Sequence, residues 1–148
     1  MDPLPRRVLI DTGVLIRYLI KTDPQHGIVA RCIEDLFLQG DLLCYAPQSI
    51  REAWSVLTRP NTSNGYGFDQ KMAEGFVRMV RAAFLLVEDV PDIFSEWERL
   101  VRVYSVHGKN VHDANLVASA VAHGVTHILT LNERDFRRFS EITLIPVL

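Results

Sequence analysis

Hydrophobic and polar positions along the chain alternate between two rhythms, short apolar runs and longer stretches of helical period. The first run, Arg7-Val8-Leu9-Ile10-Asp11, has the profile of a buried strand ending in an acid. Thr12-Gly13 then turns the chain into a helical pattern over 13–20. A helix over about 25–39 leads to a strand at 42–46, and the next helix, 49–58, stops before Arg59-Pro60 because proline disfavours helix in the residue before it. Asn61-Thr62-Ser63-Asn64-Gly65-Tyr66-Gly67 reads as a loop. The pattern resumes with a helix at about 69–83, a strand at 84–88, and a helix from Pro91 to about residue 106. A small-residue helix from Asp113 to Ala122 follows, closed by Gly124 as its C′ residue. A strand at 126–130, a short helix near 133–139 and a strand at 142–147 complete the series. Strands alternating with helices in this way predict an α/β fold of three layers. Five strands form a mainly parallel sheet with helices on both faces, in one domain spanning 1–148.

Composition changes this picture little. A chain of 148 residues with 48% hydrophobic content buries a core without disulfides or a structural metal. Cys32 and Cys44 fall in a helix and a strand, in no paired metal motif, and read as buried reduced thiols. No apolar stretch nears the ~20 residues of a membrane span, and the first seven residues lack the core of a signal peptide. The expectation is a cytoplasmic protein with no membrane contact. Net charge is −2, which advertises no nucleic-acid partner, although thirteen of the sixteen cations are arginine, the residue suited to phosphate.

Candidate chemistry resides in four acids at strand–helix junctions: Asp11, Glu52, Asp113 and Asp135. Each has an ordinary structural use. Ser49-Ile50-Arg51-Glu52 fits a capping box, Asp113 suits a first helical turn, Asp135 follows the N-cap candidate Asn132, and Asp11 suits a turn. Together they mean more. Asp113 leads an apolar face continued by Leu116, Val117 and Ala120, so it points toward the sheet. Glu52 closely follows the strand at 42–46, and Asp11 and Asp135 flank two strands expected to be neighbours at the sheet centre. In open α/β sheets ligands bind outside the carboxyl ends of the strands. Acids gathered there imply a hard cation bound through oxygen, Mg²⁺ or Mn²⁺. An aspartic protease is excluded by the helical content, and a phosphatase of the haloacid dehalogenase type by Gly13 standing where a second Asp is needed. No glycine-rich phosphate loop occurs. Ile16, Leu19, Ile20, Val56 and Leu57 are candidates for a groove that accepts a partner helix, with ordinary core as the alternative.

Four segments carry a resemblance that spans nearly the whole chain: Leu9-Ile10-Asp11-Thr12-Gly13; Ser49-Ile50-Arg51-Glu52 with Val56-Leu57-Thr58-Arg59-Pro60; Val111-His112-Asp113-Ala114-Asn115-Leu116-Val117-Ala118; and Leu129-Thr130-Leu131-Asn132-Glu133-Arg134-Asp135-Phe136. In these the chain resembles PIN-domain ribonucleases, specifically the VapC-type toxins of toxin–antitoxin pairs. The resemblance implies a Mg²⁺- or Mn²⁺-dependent endoribonuclease, a homodimer, and a co-encoded antitoxin that blocks the site. It places Asp11, Glu52 and Asp113 at the main metal-site acids, with Asp135 as the fourth. It gives Thr12 and Thr130 as supporting hydroxyls and Asn132 where relatives often carry Asp. Arg51, Arg59, Lys109, Arg134 and Arg137 are candidates for a basic rim that binds RNA. With Asn132 in place of an acid, a binding-only PIN scaffold or a PIN nuclease for another nucleic acid stays open as an alternative.

Overall fold

The structure is a computed structural model and describes residues 3–148. Its elements are β1 (Arg7–Ile10), α1 (Thr12–Leu19), α2 (His26–Leu38), β2 (Leu42–Tyr45), α3 (Pro47–Thr58), a 3₁₀ turn (Asn61–Ser63), α4 (Gln70–Ala83), β3 (Leu85–Leu86), α5 (Asp92–Val103), α6 (Asn110–Ala122), β4 (His127–Leu129), α7 (Glu133–Phe136) and β5 (Thr143–Ile145). The strands form one five-stranded sheet in the order β3-β2-β1-β4-β5, every pair parallel. The N-terminal strand is therefore central, with Val8 beside both Leu43 and His127.

Side-chain alternation on the strands divides the core in two. Val8 and Ile10 of β1, Leu43 and Tyr45 of β2 and Leu129 of β4 pack with α1, α2, α3 and α4 on one face. Leu9, Cys44 and Ile128, one residue out of step, pack with α5, α6 and Phe136 of α7 on the other. The three-layer expectation holds, and the near-continuous apolar character of β1 follows from burial on both faces. α6 is rich in small residues. Ala114, Ala118, Ser119 and Ala120 are fully buried, which seats the helix close against α5, in one core with Leu9 and Ile128 of the sheet. It ends in a Schellman motif: Gly124 takes a φ of +68° and donates to Val121, while Val125 donates to Ala120 at 2.8 Å.

Several boundaries differ from the sequence reading. α3 begins at Pro47, with Ala46 as its N-cap and proline in the first turn, where its missing N–H costs nothing. Ser49 is thus inside the helix and fully buried, with its hydroxyl unpartnered, and the expected capping box with Glu52 does not form. α6 begins three residues before Asp113, leaving that acid still in the first turn. Both cysteines are free as expected, but Cys32 is only half-buried. Ile16 and Leu57 are buried in the core, while Leu19, Ile20 and Val56 pack against it and stay partly exposed, Val56 lining an open depression. No helix among the described residues is long and apolar enough to cross a membrane.

Candidate active site

The site lies where β1 and β4 end side by side. Asp11 follows β1, and its backbone N–H extends the ladder to Leu129 at 3.0 Å. Extended backbone at Asp11 makes it the N-cap of α1. One carboxylate oxygen accepts from the Thr12 N–H at 2.8 Å and the other from the Thr130 hydroxyl at 2.8 Å. Thr130 is buried and in turn accepts the Asn132 N–H at 2.9 Å, so its proton is directed at Asp11. From the other side, the Thr12 hydroxyl donates to Glu52 Oε2 at 3.1 Å. The two threonines therefore orient two acids from different elements.

Asp113 enters from α6, whose Leu116, Val117 and Ala120 are buried as its helical phase requires. Asp135 is the third residue of α7, and its backbone N–H bonds the Asn132 carbonyl at 3.0 Å. Asn132 stands at the N-cap position without a side-chain capping bond. Asn110 completes the surroundings. Its amide is satisfied when the nitrogen faces Asp113 Oδ2 and the oxygen faces the Arg138 guanidinium, each at 3.3 Å.

The acids act on one another. Burial raises the Asp11 pKa, against the bonds from Thr130 and Thr12, and the charges of Glu52 and Asp135 raise it further. Asp113 is pushed up to about 7 by burial and by Asp11, Asp135 and Glu52, with only Lys109 opposing. Among the described residues no three acid, histidine or cysteine side chains are already drawn together at metal-ligating distance. The cluster shares one field without converging on one point. Its donors are all hard carboxylate oxygens, and its like charges disfavour joint ionisation, so a divalent cation of the Mg²⁺ or Mn²⁺ kind fits this donor set.

Three depressions meet at the exposed Asn132. One of about 600 Å³ holds Glu52, Asp113 and Asp135 with Arg59, Lys109 and His112. A second, of about 610 Å³, runs past Thr130 and Asp135 to Arg134 and Arg137. A third, of about 210 Å³, is lined by Asp11, Gly13, Arg17 and Gln25. Four of the five basic rim candidates thus line the surroundings of the acids. Arg51 does not: it pairs with Asp89 at 3.1 Å and borders a separate groove with Tyr45, Ile50 and Leu86.

Three polar residues at the site were not singled out from sequence. Arg17 is fixed by the Gly13 carbonyl and Gln25. Gln48 and Asn115 form a hydrogen-bonded chain onto Glu52. Gln48 had a usable signal, since it precedes Glu52 by one helical turn. Asn115 had none, because only the tertiary packing brings it to Gln48.

Comparison with known proteins agrees with this architecture. Ribonuclease VapC26 of Mycobacterium tuberculosis is 26% identical over 145 residues, covering 94% of this chain and all of the relative. The structure of DNA-bound VapBC from Salmonella typhimurium superposes with a TM-score of 0.70 at 16% identity, over 97% of this chain and 99% of that one. Mycobacterium tuberculosis VapC20, described as a sarcin-ricin loop cleaving toxin, gives 0.59 at 17% identity, over 82% and 86% of the two chains. The model of the PIN domain family matches residues 8–142, from the first strand to the threshold of the last, and the chain belongs to that family.

Proposed function

We propose that this protein is a metal-dependent endoribonuclease of the VapC type, the toxin of a toxin–antitoxin pair. The observation that carries the reading is the meeting of Asp11, Glu52, Asp113 and Asp135, from four separate elements, at the carboxyl edge of the sheet. Likeness to a ribonuclease along the full length of that relative supports it.

Asp11 and Asp113 are the residues to hold Mg²⁺ or Mn²⁺, with Glu52 nearby and Asp135 at a weaker position. When bound, the ion would supply a Lewis acid for the phosphodiester and lower the pKa of a water. Thr130 and Thr12 keep the carboxylates of Asp11 and Glu52 from rotating away. Arg59 and Lys109 on one flank and Arg134 and Arg137 on the other attract the RNA backbone past the acids. Arg17 adds a cation beside Asp11. A carboxylate of the cluster accepts the proton of the attacking water. In-line attack leaves a 5′-phosphate and a 3′-hydroxyl. A folded RNA loop suits so open a trough, since RNA is read mainly through shape and unpaired segments. A homodimer and a co-encoded antitoxin that covers the acids complete the reading, in the cytoplasm.

The test uses purified protein free of any antitoxin. It should cut structured RNA with Mg²⁺ or Mn²⁺ and stop on addition of EDTA, and Asp11→Asn should remove most of the activity with the fold intact. Equal cleavage by Asp11→Asn would sink the assignment. RNA binding without cleavage would show a binding scaffold instead.

A further inference from the structure

Gln48 lies in the first turn of α3, and its side chain is held at both ends. Nε2 donates to Glu52 Oε1 at 2.6 Å and to the His112 carbonyl at 2.7 Å, while Oε1 accepts from Asn115 Nδ2 at 2.7 Å. This arrangement has one polarity. Turning the Gln48 amide over would set its oxygen against a carboxylate and a carbonyl, both acceptors, so Glu52 and His112 fix Gln48 and Gln48 fixes Asn115. Glu52 is then gripped on both oxygens, by Gln48 on Oε1 and by Thr12 on Oε2. The same amide spans two helices. α6 packs chiefly on α5, and α3 on α1 and α4, so the helices bearing Asp113 and Glu52 join at the site through this bridge. Among the described residues no other side chain hydrogen-bonds both Glu52 and α6.

We propose that Gln48, anchored by Asn115, is a positioning residue that holds Glu52 in register with Asp113 for cation binding. It rests on the divalent-cation reading of the acidic site given above. Gln48 is given no contact with substrate or ion in this role. It acts through Glu52, whose carboxylate its amide donor keeps aimed. Were it only a tether between helices, its loss would lower stability and leave ion affinity untouched.

Calorimetric titration of Mn²⁺ into metal-free protein separates the two, with urea unfolding in EDTA run on the same samples. Gln48→Leu, similar in size and without donors, should weaken Mn²⁺ binding about tenfold, the scale of one hydrogen bond to a charged group. Asn115→Ala leaves the donors of Gln48 in place and removes the bond that steadies its oxygen, and should weaken binding about threefold. Should Gln48→Leu not fold, the Asn115→Ala value carries the same test. Unchanged Mn²⁺ affinity in the folded variants, with stability alone reduced, would overturn the proposal and leave the cation site standing. Absence of Mn²⁺ binding by the unmodified protein would overturn both.

Discussion

Replacing Asp113 with asparagine should make the metal-free protein more stable, and only above acidic pH. In the folded chain the Asp113 proton is held up to about 7, against an ordinary value of 3.8, first by burial and then by Asp11, Asp135 and Glu52. A raised acid makes the folded state the tighter binder of protons. Below about pH 4 both states are protonated and the group has no effect. Between there and 7 the folded state loses ground, and above 7 the full penalty persists. About three factors of ten in proton affinity correspond to at most about 4 kcal/mol. The residue is half-buried, so solvent screening reduces this to about 1–2 kcal/mol. The assay is urea unfolding in EDTA at pH 4, 6 and 8, for the unmodified protein and Asp113→Asn. The variant should lead by about 1–2 kcal/mol at pH 8, and the gap should close toward pH 4. Added Mg²⁺ should recover stability in the unmodified protein and do little for the variant. A gap independent of pH, or a variant weaker at pH 8, would refute the electrostatic account.

Other perturbations address the frame around the site. Ser49→Ala removes a fully buried hydroxyl with no partner and should stabilise the fold by about 0.5–2 kcal/mol, read as a higher melting temperature; a clear loss would mean that the hydroxyl is satisfied in solution. Gly65→Ala should destabilise by about 1–3 kcal/mol, because the new Cβ would collide with the Arg59 carbonyl oxygen. The same clash displaces Arg59 from the depression it lines, so the KM for RNA should rise as well. Burial alone would raise the Glu141 pKa, but hydrogen bonds from Tyr104 at 2.6 Å and Arg99 at 2.9 Å outweigh it and hold the value below the usual carboxylate range. Tyr104→Phe should therefore lower stability at neutral pH, by an amount that shrinks as the pH falls below about 4.5 through the folded value; a deficit constant from pH 7 to 3 would exclude that origin.

Local chemistry explains which parts of this protein could be read from its residues. The strand ending in Asp11 and the face Leu116-Val117-Ala120 behind Asp113 were legible because burial writes a periodic signal. The order of the central strands could be inferred from where the acids fell. Ser49 misled because Ser-x-x-Glu is a good cap pattern, whereas Pro47, tolerated in a first turn, lets the helix begin earlier. Arg51, a rim candidate in the sequence, stands next to Glu52, yet adjacent helical residues point about 100° apart, and it faces Asp89. The bridge from Gln48 to Asn115 lies beyond sequence reading, since it depends on how two helices with no local connection meet.

The central place of β1 has a consequence for how this protein is made. Asp11 is synthesised before the hydroxyl that aims it: Thr130 lies 119 residues downstream, and the strand beside it, β4, is made just before that residue. Until then the nascent chain has Asp11 without its orienting partner, and one flank of β1 remains an unpaired edge. Such an edge favours aggregation or capture by other chains. On the proposed function, cleavage can begin only after residues 127–135 have folded back onto the first strand. On the same reading a fragment that stops before Thr130 should be inert, and a single proteolytic cut between α6 and β4 should disarm the protein if the piece carrying β4 and α7 then dissociates.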